Sequence, residues 1–372
     1  MDARCIAFVW DNFGPLHIDR CEAVARHFGG KAQVLAIELF AKSELYSWEK
    51  PKPQNITKIT LFDEGGWGTI GTLKLARSIA AAVRQAGCET VFLSHYDKTA
   101  ILIAAILLRA SGVSLFTMGC SKYDDAPRRP VREMIKRQFY RPYHGGIGSD
   151  DRSTDYMRYL GLPPARVFGG YNTVHQQRIR DLAAANQNSS PEFSERSFLV
   201  VARLIHEKNF PTLFRAYADY CGKAELPRRL KIAGDGPLES ELRRQALDLG
   251  VADRIDWLGF VQSREVAPLM RDALCLILPS VSETFGNVVP EALAVDLPII
   301  ISRQCGAADR LVVHGKSGFV FDPRDTGTLT GLLLRIGSDE ANWHMLRNES
   351  REIAPRGDTA VFAQSVARLI ED

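Results

Sequence analysis

The stretch SETFGNVVPEALA, residues 282–294, sets Glu283 and Glu291 eight positions apart around Gly286, Asn287 and Pro290. A helix tolerates proline only in its first turn, where the missing N–H has no partner to lose. The spacing therefore predicts a helix starting near Asn287, with Glu283 on the preceding loop and Glu291 just inside. The amides of Gly286, Asn287, Val288 and Val289 would then face outward at the positive end of the helix dipole. Such an end attracts an anion, most often a phosphate. The two carboxylates repel phosphate and need hydroxyls to accept bonds from. A ligand with phosphate in its middle and hydroxyls at both ends, such as a nucleotide-sugar, satisfies all three.

Four more stretches fall at the carboxyl ends of expected strands. VARLIHEKNF places Arg203 at a strand end and Lys208 five residues later, where both can neutralise a diphosphate. IAGDGPLESEL sets Gly234 and Gly236 around Asp235, a turn that lets backbone approach a ligand closely. WLGFVQS can offer main-chain groups at Gly259, Phe260 and Val261 to a nucleobase, and SRQCGAADRL supplies the small residues Gly306 and Ala307. Singly, each has a plainer reading: turn chemistry for the glycines, a solvated pair for Arg203 and Lys208, a dipole complement for Glu291. Their order and spacing together favour a site.

The elements that must position them follow an α/β alternation. Twelve short apolar runs, from CIAFVWD, AQVLAIELF and TVFLSHYD to ALCLILPS and LPIIIS, alternate with helical stretches such as GTLKLARSIAAAVRQAG. Such runs suit parallel strands buried on both faces, with ligands beyond their carboxyl ends. A length of 372 residues gives room for two cores. The polar stretch 183–196 is the expected linker. The expected division is 1–185, 195–355, and a last helix, 356–372, packing back on the first domain. Residues 1–190 carry a net +7 and residues 191–372 a net −4, so the halves suit unlike partners. Seven scattered cysteines without CxxC spacing imply a reducing, cytoplasmic setting with neither disulfide frame nor zinc site. No signal peptide and no apolar run of about 18 residues is visible.

Taken in order, VARLIHEKNF, IAGDGPLESEL, RIDWLGFV, LPSVSETFGNVVPEALA and SGFVFDP resemble the retaining glycosyltransferases of family 4, closely over residues 197–322 and loosely before them. The resemblance implies the GT-B fold, two Rossmann-like parallel-sheet domains facing across an interdomain cleft. It implies that Glu291 binds the nucleotide ribose and Glu283 the donor hexose. By the same likeness Arg203 and Lys208 bind the diphosphate, helped by the loop Thr284, Phe285, Gly286 and Asn287. Gly234, Asp235, Gly236, Phe260 and Val261 complete the donor side. In the N-terminal half, Gly14 takes the place of a glycine-rich loop near the donor phosphate, although the usual double glycine is absent. His95 matches a histidine lying near the donor sugar; its plainer reading is a cap. His17 has an acceptor-positioning or a structural role. Asp124, Asp125 and Arg128 in SKYDDAPRR either line the acceptor pocket or form a solvated turn.

The run RRPVREMIKRQFYRPY, 128–143, holds six Lys or Arg and one Glu, with Val131, Met134, Ile135 and Phe139 spaced for one helical face. A basic amphipathic helix can lie on an anionic membrane, or its apolar face can be core. The expected activity is transfer of a hexose from a UDP- or GDP-sugar to a saccharide, lipid-linked or small-molecule hydroxyl, with retention and without an essential metal or cofactor. The alternatives are a nucleotide-sugar 2-epimerase of the same fold and a non-catalytic nucleotide-sugar-binding subunit. No nucleic-acid partner is expected. The expected location is the cytoplasm, with peripheral contact to the inner face of the cell membrane.

Overall fold

The structure, a computed structural model, describes residues 4–42, 52–185 and 190–371. It divides into two compact units, residues 1–175 with 359–372, and residues 176–358. In the first unit seven strands form one parallel sheet: β1 (Arg4–Trp10), β2 (Ala32–Phe40), β3 (Thr57–Phe62), β4 (Thr90–Leu93), β5 (Ser114–Gly119), β6 (Gly145–Gly148) and β7 (Val167–Phe168). Their spatial order is β3-β2-β1-β4-β5-β6-β7. The second unit has six: β8 (Phe198–Val201), β9 (Leu230–Ala233), β10 (Ile255–Gly259), β11 (Cys275–Leu278), β12 (Ile299–Ser302) and β13 (Gly318–Phe321), ordered β10-β9-β8-β11-β12-β13.

The apolar runs explain the double layering. On β1, Ala7 and Val9 pack with Ile79, Val91 and Ile101 on one side of the sheet. Ile6, Phe8 and Trp10 pack with Val24, Phe92 and Phe362 on the other. Alternate side chains of a strand point to opposite faces, so a strand apolar throughout must be covered twice. Strand order reverses between β1 and β4 in the first unit, and between β8 and β11 in the second. Ligands of such sheets bind outside the carboxyl ends at this reversal.

Each of the twelve runs contains one strand; β13 is the thirteenth, inside SGFVFDP. There Gly318 passes so close to β12 that an added Cβ would stand 2.1 Å from the Ile299 carbonyl oxygen. The unit boundary falls at 175/176 rather than near 185. Helix Gln176–Ala185 packs on helices Ser263–Asp272 and Val288–Ala294, and Arg180 Nε donates to the Ala294 carbonyl at 3.0 Å. Of the expected linker, residues 186–189 lie outside the described residues. The last helix, Thr359–Glu371, belongs to the first unit, where Phe362, Val366 and Leu369 enter the core beside Phe8.

The expectation of no disulfide is corrected at one place. Cys5 on β1 and Cys88 just before β4 are joined through their sulfurs, with Cα atoms 4.4 Å apart, because those strands are neighbours. Cys21, Cys120, Cys221, Cys275 and Cys305 remain thiols. Among the described residues no helix is long and apolar enough to cross a membrane. Nor do three or more of their His, Cys, Asp and Glu side chains gather to hold a metal.

Candidate functional site

Two loops of the second unit meet at its strand reversal. The first leaves β8 and runs through Arg203 to a single 3-10 turn, His206–Lys208. Asn209 follows at φ +55° and opens helix Phe210–Lys223, whose first turn holds Pro211. Asn209 is the brace of the region: Nδ2 donates to the carbonyls of Pro279 (3.0 Å) and Pro323 (2.9 Å), while Oδ1 accepts from Thr212 Oγ1 at 2.9 Å. The second loop leaves β11, and its Val281 N–H donates to the Glu207 carbonyl at 2.9 Å. With the loops tied in this way, the Lys208 ammonium donates to the Glu283 carboxylate, both side chains partly buried. Lys208, Ser280, Glu283, Gly286 and Asn287 help line a cavity of about 100 Å³.

The glutamate loop is fixed from behind. Glu283 bridges to Cys305, and the Ala307 N–H donates to the Phe285 carbonyl at 2.9 Å, with the Phe285 ring buried. Gly286 at φ +100° makes the bend. Helix Val288–Ala294 starts after Asn287, carrying Pro290 and a partly buried Glu291 in its first turn. Of the four amides expected to face a ligand, that of Val289 is taken by the Gly286 carbonyl at 3.0 Å.

The loop after β9 supports the Arg203 loop. Leu204 N–H donates to the Asp235 carbonyl at 2.7 Å, and Leu238 N–H to the Leu204 carbonyl at 3.2 Å. Gly234 (φ +150°) and Gly236 (φ +158°) lie against the backbone of Ala202 and Leu204. Their glycine identity is thus explained by loop-on-loop packing. Arg203, Asp235 and Thr284 are exposed, and the Arg203 side chain makes no hydrogen bond to the described residues. Phe260 is exposed. Val261 lines a separate hollow of about 460 Å³ with Ser197, Leu199, Lys231 and Ala273.

In the first unit the β1 loop is held by Glu38, 1% exposed on β2. Its carboxylate accepts from Phe13 N–H (2.9 Å), Asn12 Nδ2 (3.2 Å), Lys58 Nζ (2.7 Å) and Thr60 Oγ1 (2.8 Å). Gly14 caps helix Pro15–Phe28, and its N–H donates to His17 Nδ1 at 3.1 Å. Burial, with Arg20 nearby, pushes the His17 imidazole down to about 3, so the ring stays neutral and able to accept that bond. His95 Nε2 lies 3.1 Å from Asp11 Oδ1. Burial works against ionisation of Asp11, but the hydrogen bond and charge of His95 outweigh it and hold the carboxyl below its usual range.

The three remaining acceptor candidates are engaged by their own loop and by helix Asp151–Tyr159. Asp125 accepts from the Lys122 ammonium (2.5 Å), itself 2% exposed, and from the Lys122 N–H (2.7 Å). Arg128 donates to the carbonyls of Lys122 and Tyr123 and to Tyr156 Oη (3.0 Å). Asp124 pairs with Arg152 at 2.6 Å. Nearby, helix Pro130–Tyr140 buries Tyr140 and packs Phe139 on the core, but leaves the rest of its apolar stripe outside. Val131, Met134 and Ile135 are 68%, 64% and 55% exposed, while Glu133 is buried and accepts from Tyr156 Oη (2.6 Å) and Lys136 Nζ (3.2 Å).

Asn209, Glu38, Asp11 and Lys122 escaped the sequence reading. Glu38 carried a signal, a carboxylate inside the apolar run AQVLAIELF, and Asn209 another, a helix-opening residue two before a proline.

Residues 185–353, most of the second unit, match the family described as Glycosyl transferases group 1. The 2-deoxystreptamine N-acetyl-D-glucosaminyltransferase of Niallia circulans is 26% identical over 236 residues, 62% of this chain and 59% of that protein. The putative colanic acid biosynthesis glycosyltransferase WcaL of Salmonella typhimurium is 25% identical over 266 residues, 69% of this chain and 63% of that one. The chain spans less than two thirds of the length of either relative. The crystal structure of Anabaena Alr3699/HepE in complex with UDP matches with a TM-score of 0.73 at 17% identity, covering 99% of both chains. That likeness establishes the fold as GT-B, and the group 1 match falls on the unit that holds Lys208 and Glu283.

Proposed function

We propose that this protein is a retaining glycosyltransferase of the family 4 type. It moves a hexose from a UDP- or GDP-sugar to a hydroxyl acceptor in glycan or glycoconjugate synthesis. The observation that carries the reading is the Lys208–Glu283 pair at the strand reversal, beside Gly286 and Asn287, in the segment that matches group 1 glycosyl transferases. Lys208 meets the diphosphate, Glu283 accepts from the hexose and Glu291 accepts from the ribose. Arg203, on an exposed loop with an uncommitted side chain, adds a second cation. Together these fixed charges stabilise the leaving diphosphate as negative charge grows on it. The departing phosphate then takes the acceptor proton on the same face, so no carboxylate nucleophile is needed. Lys208 and Arg203 supply the positive charge without a metal. The matches to an N-acetylglucosaminyltransferase and to a structure holding UDP support a nucleotide-sugar donor.

A 2-epimerase would turn over donor with no acceptor present, and a binding subunit would transfer to none. Isothermal titration and single-turnover transfer test the reading. Glu291→Ala should weaken free UDP or GDP by roughly ten- to a hundredfold, the worth of about 1.5–3 kcal/mol for a charged acceptor bond. Lys208→Ala should slow the chemical step by about 10² or more. Unchanged nucleotide affinity in a folded Glu291 variant, or a wild-type rate in the Lys208 variant, overturns the assignment.

The same reading places the protein in the cytoplasm against the inner face of the membrane. The exposed apolar residues Val131, Met134 and Ile135 and the basic residues around them support this contact, and with it a lipid-linked acceptor.

A further inference from the structure

The first unit repeats the placement seen in the second with different chemistry. In the second unit, Lys208 and Glu283 meet from the loops after β8 and β11, the pair of strands where order reverses. In the first unit the corresponding strands are β1 and β4. Asp11 directly follows β1 and His95 follows β4 by two residues, and the two side chains meet at 3.1 Å.

Several contacts fix this pair. Asp11 Oδ1 also accepts the Asn12 N–H at 2.8 Å, and Glu38 clamps the Asn12–Phe13 segment from below. Trp67 meets the imidazole edge to face, with ring centroids 5.6 Å apart. His95 itself sits at φ +56°, a left-handed conformation costly for a residue with a Cβ. Such outliers persist where the surroundings enforce them, and they gather at functional sites. The ring is about one-third exposed, and its Nδ1 makes no hydrogen bond to the described residues.

We propose that Asp11 is a positioning residue that takes the Nε2–H of His95, locks the ring in that tautomer and aims its Nδ1 as an acceptor for a sugar hydroxyl. In a neutral imidazole one nitrogen donates and the other accepts, so fixing the proton on Nε2 fixes the lone pair on Nδ1. A neutral hydroxyl is the ligand class that fits. It has a proton to offer the lone pair, whereas an anion would face the Asp11 carboxylate. The proposal rests on the glycosyltransferase reading for its substrate, but its geometry can be read without turnover.

The experiment uses the full chain labelled with 15N-histidine. Imidazole nitrogen spectra at pH 8 should show wild-type His95 as the single Nε2–H tautomer. Asp11→Asn keeps an acceptor oxygen and should keep that single tautomer, whereas Asp11→Leu should release the ring into a mixture of both tautomers. In transfer assays Asp11→Leu should lower kcat by about ten- to a hundredfold, as much as His95→Ala, the scale of one well-placed hydrogen bond. The double variant should lose no more than about twofold beyond His95→Ala alone, because residues acting as a unit are not additive. The dissociation constant for UDP or GDP should stay unchanged in all of them, which separates this role from general unfolding. Nε2–H persisting as the single tautomer in Asp11→Leu, or losses that multiply in the double variant, overturns the proposal. If the wild type transfers from no nucleotide-sugar, the glycosyltransferase reading fails, and the tautomer spectra of the same samples still decide the role of Asp11.

Discussion

At Gly234 an added Cβ would stand 1.9 Å from the Ala202 carbonyl oxygen, and at Gly236 it would stand 2.5 Å from that of Leu204. Neither neighbour is a flexible side-chain tip, so the backbone itself must move. Gly234→Ala should therefore destabilise the second unit by at least about 1–3 kcal/mol, the scale of a residue forced into a sparsely populated conformation. It should also displace the Arg203 loop. Urea unfolding and nucleotide titration check both; a variant as stable as wild type with unchanged affinity would contradict this account. In the sequence IAGDGPLESEL the glycines read equally well as a turn or as a close approach to ligand. The reason they stayed ambiguous is that their partners lie about thirty residues upstream, and sequence spacing does not reveal which two loops will stack. His17 shows the same limit, since the balance between its structural and acceptor-positioning readings depends on a ring environment made by Trp10, Phe13 and Arg20.

Helices and strands were far more legible. Every apolar run contains a strand; on inner strands such as β1 burial on both faces leaves a signal at each position, while the edge strands β3 and β10 are only partly covered. Helix Pro130–Tyr140 was legible in period but not in orientation. Its apolar stripe fits either a membrane face or the core, and the side turned inward carries Glu133, which Tyr156, Lys136 and Arg128 satisfy together. That buried carboxylate anchors the helix and leaves Val131, Met134 and Ile135 outside. If this face meets lipid, the wild type should sediment with phosphatidylglycerol vesicles, less so as salt rises, and not with phosphatidylcholine. Arg132→Glu with Arg137→Glu should abolish sedimentation, each basic residue near the surface being worth about 1 kcal/mol. Lys136 is left intact because its ammonium serves Glu133. Wild-type protein that never sediments with the anionic vesicles removes the membrane from the proposed function, while nucleotide binding in the second unit should be the same throughout.

At the scale of the whole molecule the two units differ in how the chain builds them. The second is one continuous stretch, 176–358, whereas the first is assembled from residues on either side of it. Helix Thr359–Glu371 gives the first unit Phe362, Val366 and Leu369, all fully buried against Phe8 and its neighbours. A fragment of residues 176–358 should thus unfold cooperatively and bind UDP or GDP. A fragment ending at 175 should be partly unfolded until a 359–371 peptide is added, since each buried Phe or Leu contributes about 1.5–3 kcal/mol. Circular dichroism with and without the peptide decides it; a cooperative 1–175 fragment would show that the helix is dispensable.

This arrangement also sets an order in time. On the ribosome the first strands emerge early, but the last helix of their own core comes off after the entire second unit has been made. The sheet face around Phe8, Phe92 and Phe116 must wait through that interval without its cover. The inserted unit can close as soon as residue 358 has cleared the exit tunnel. Of the two units, the one whose synthesis starts earlier is therefore the one that finishes later, and the hazard of aggregation during synthesis falls on its sheet.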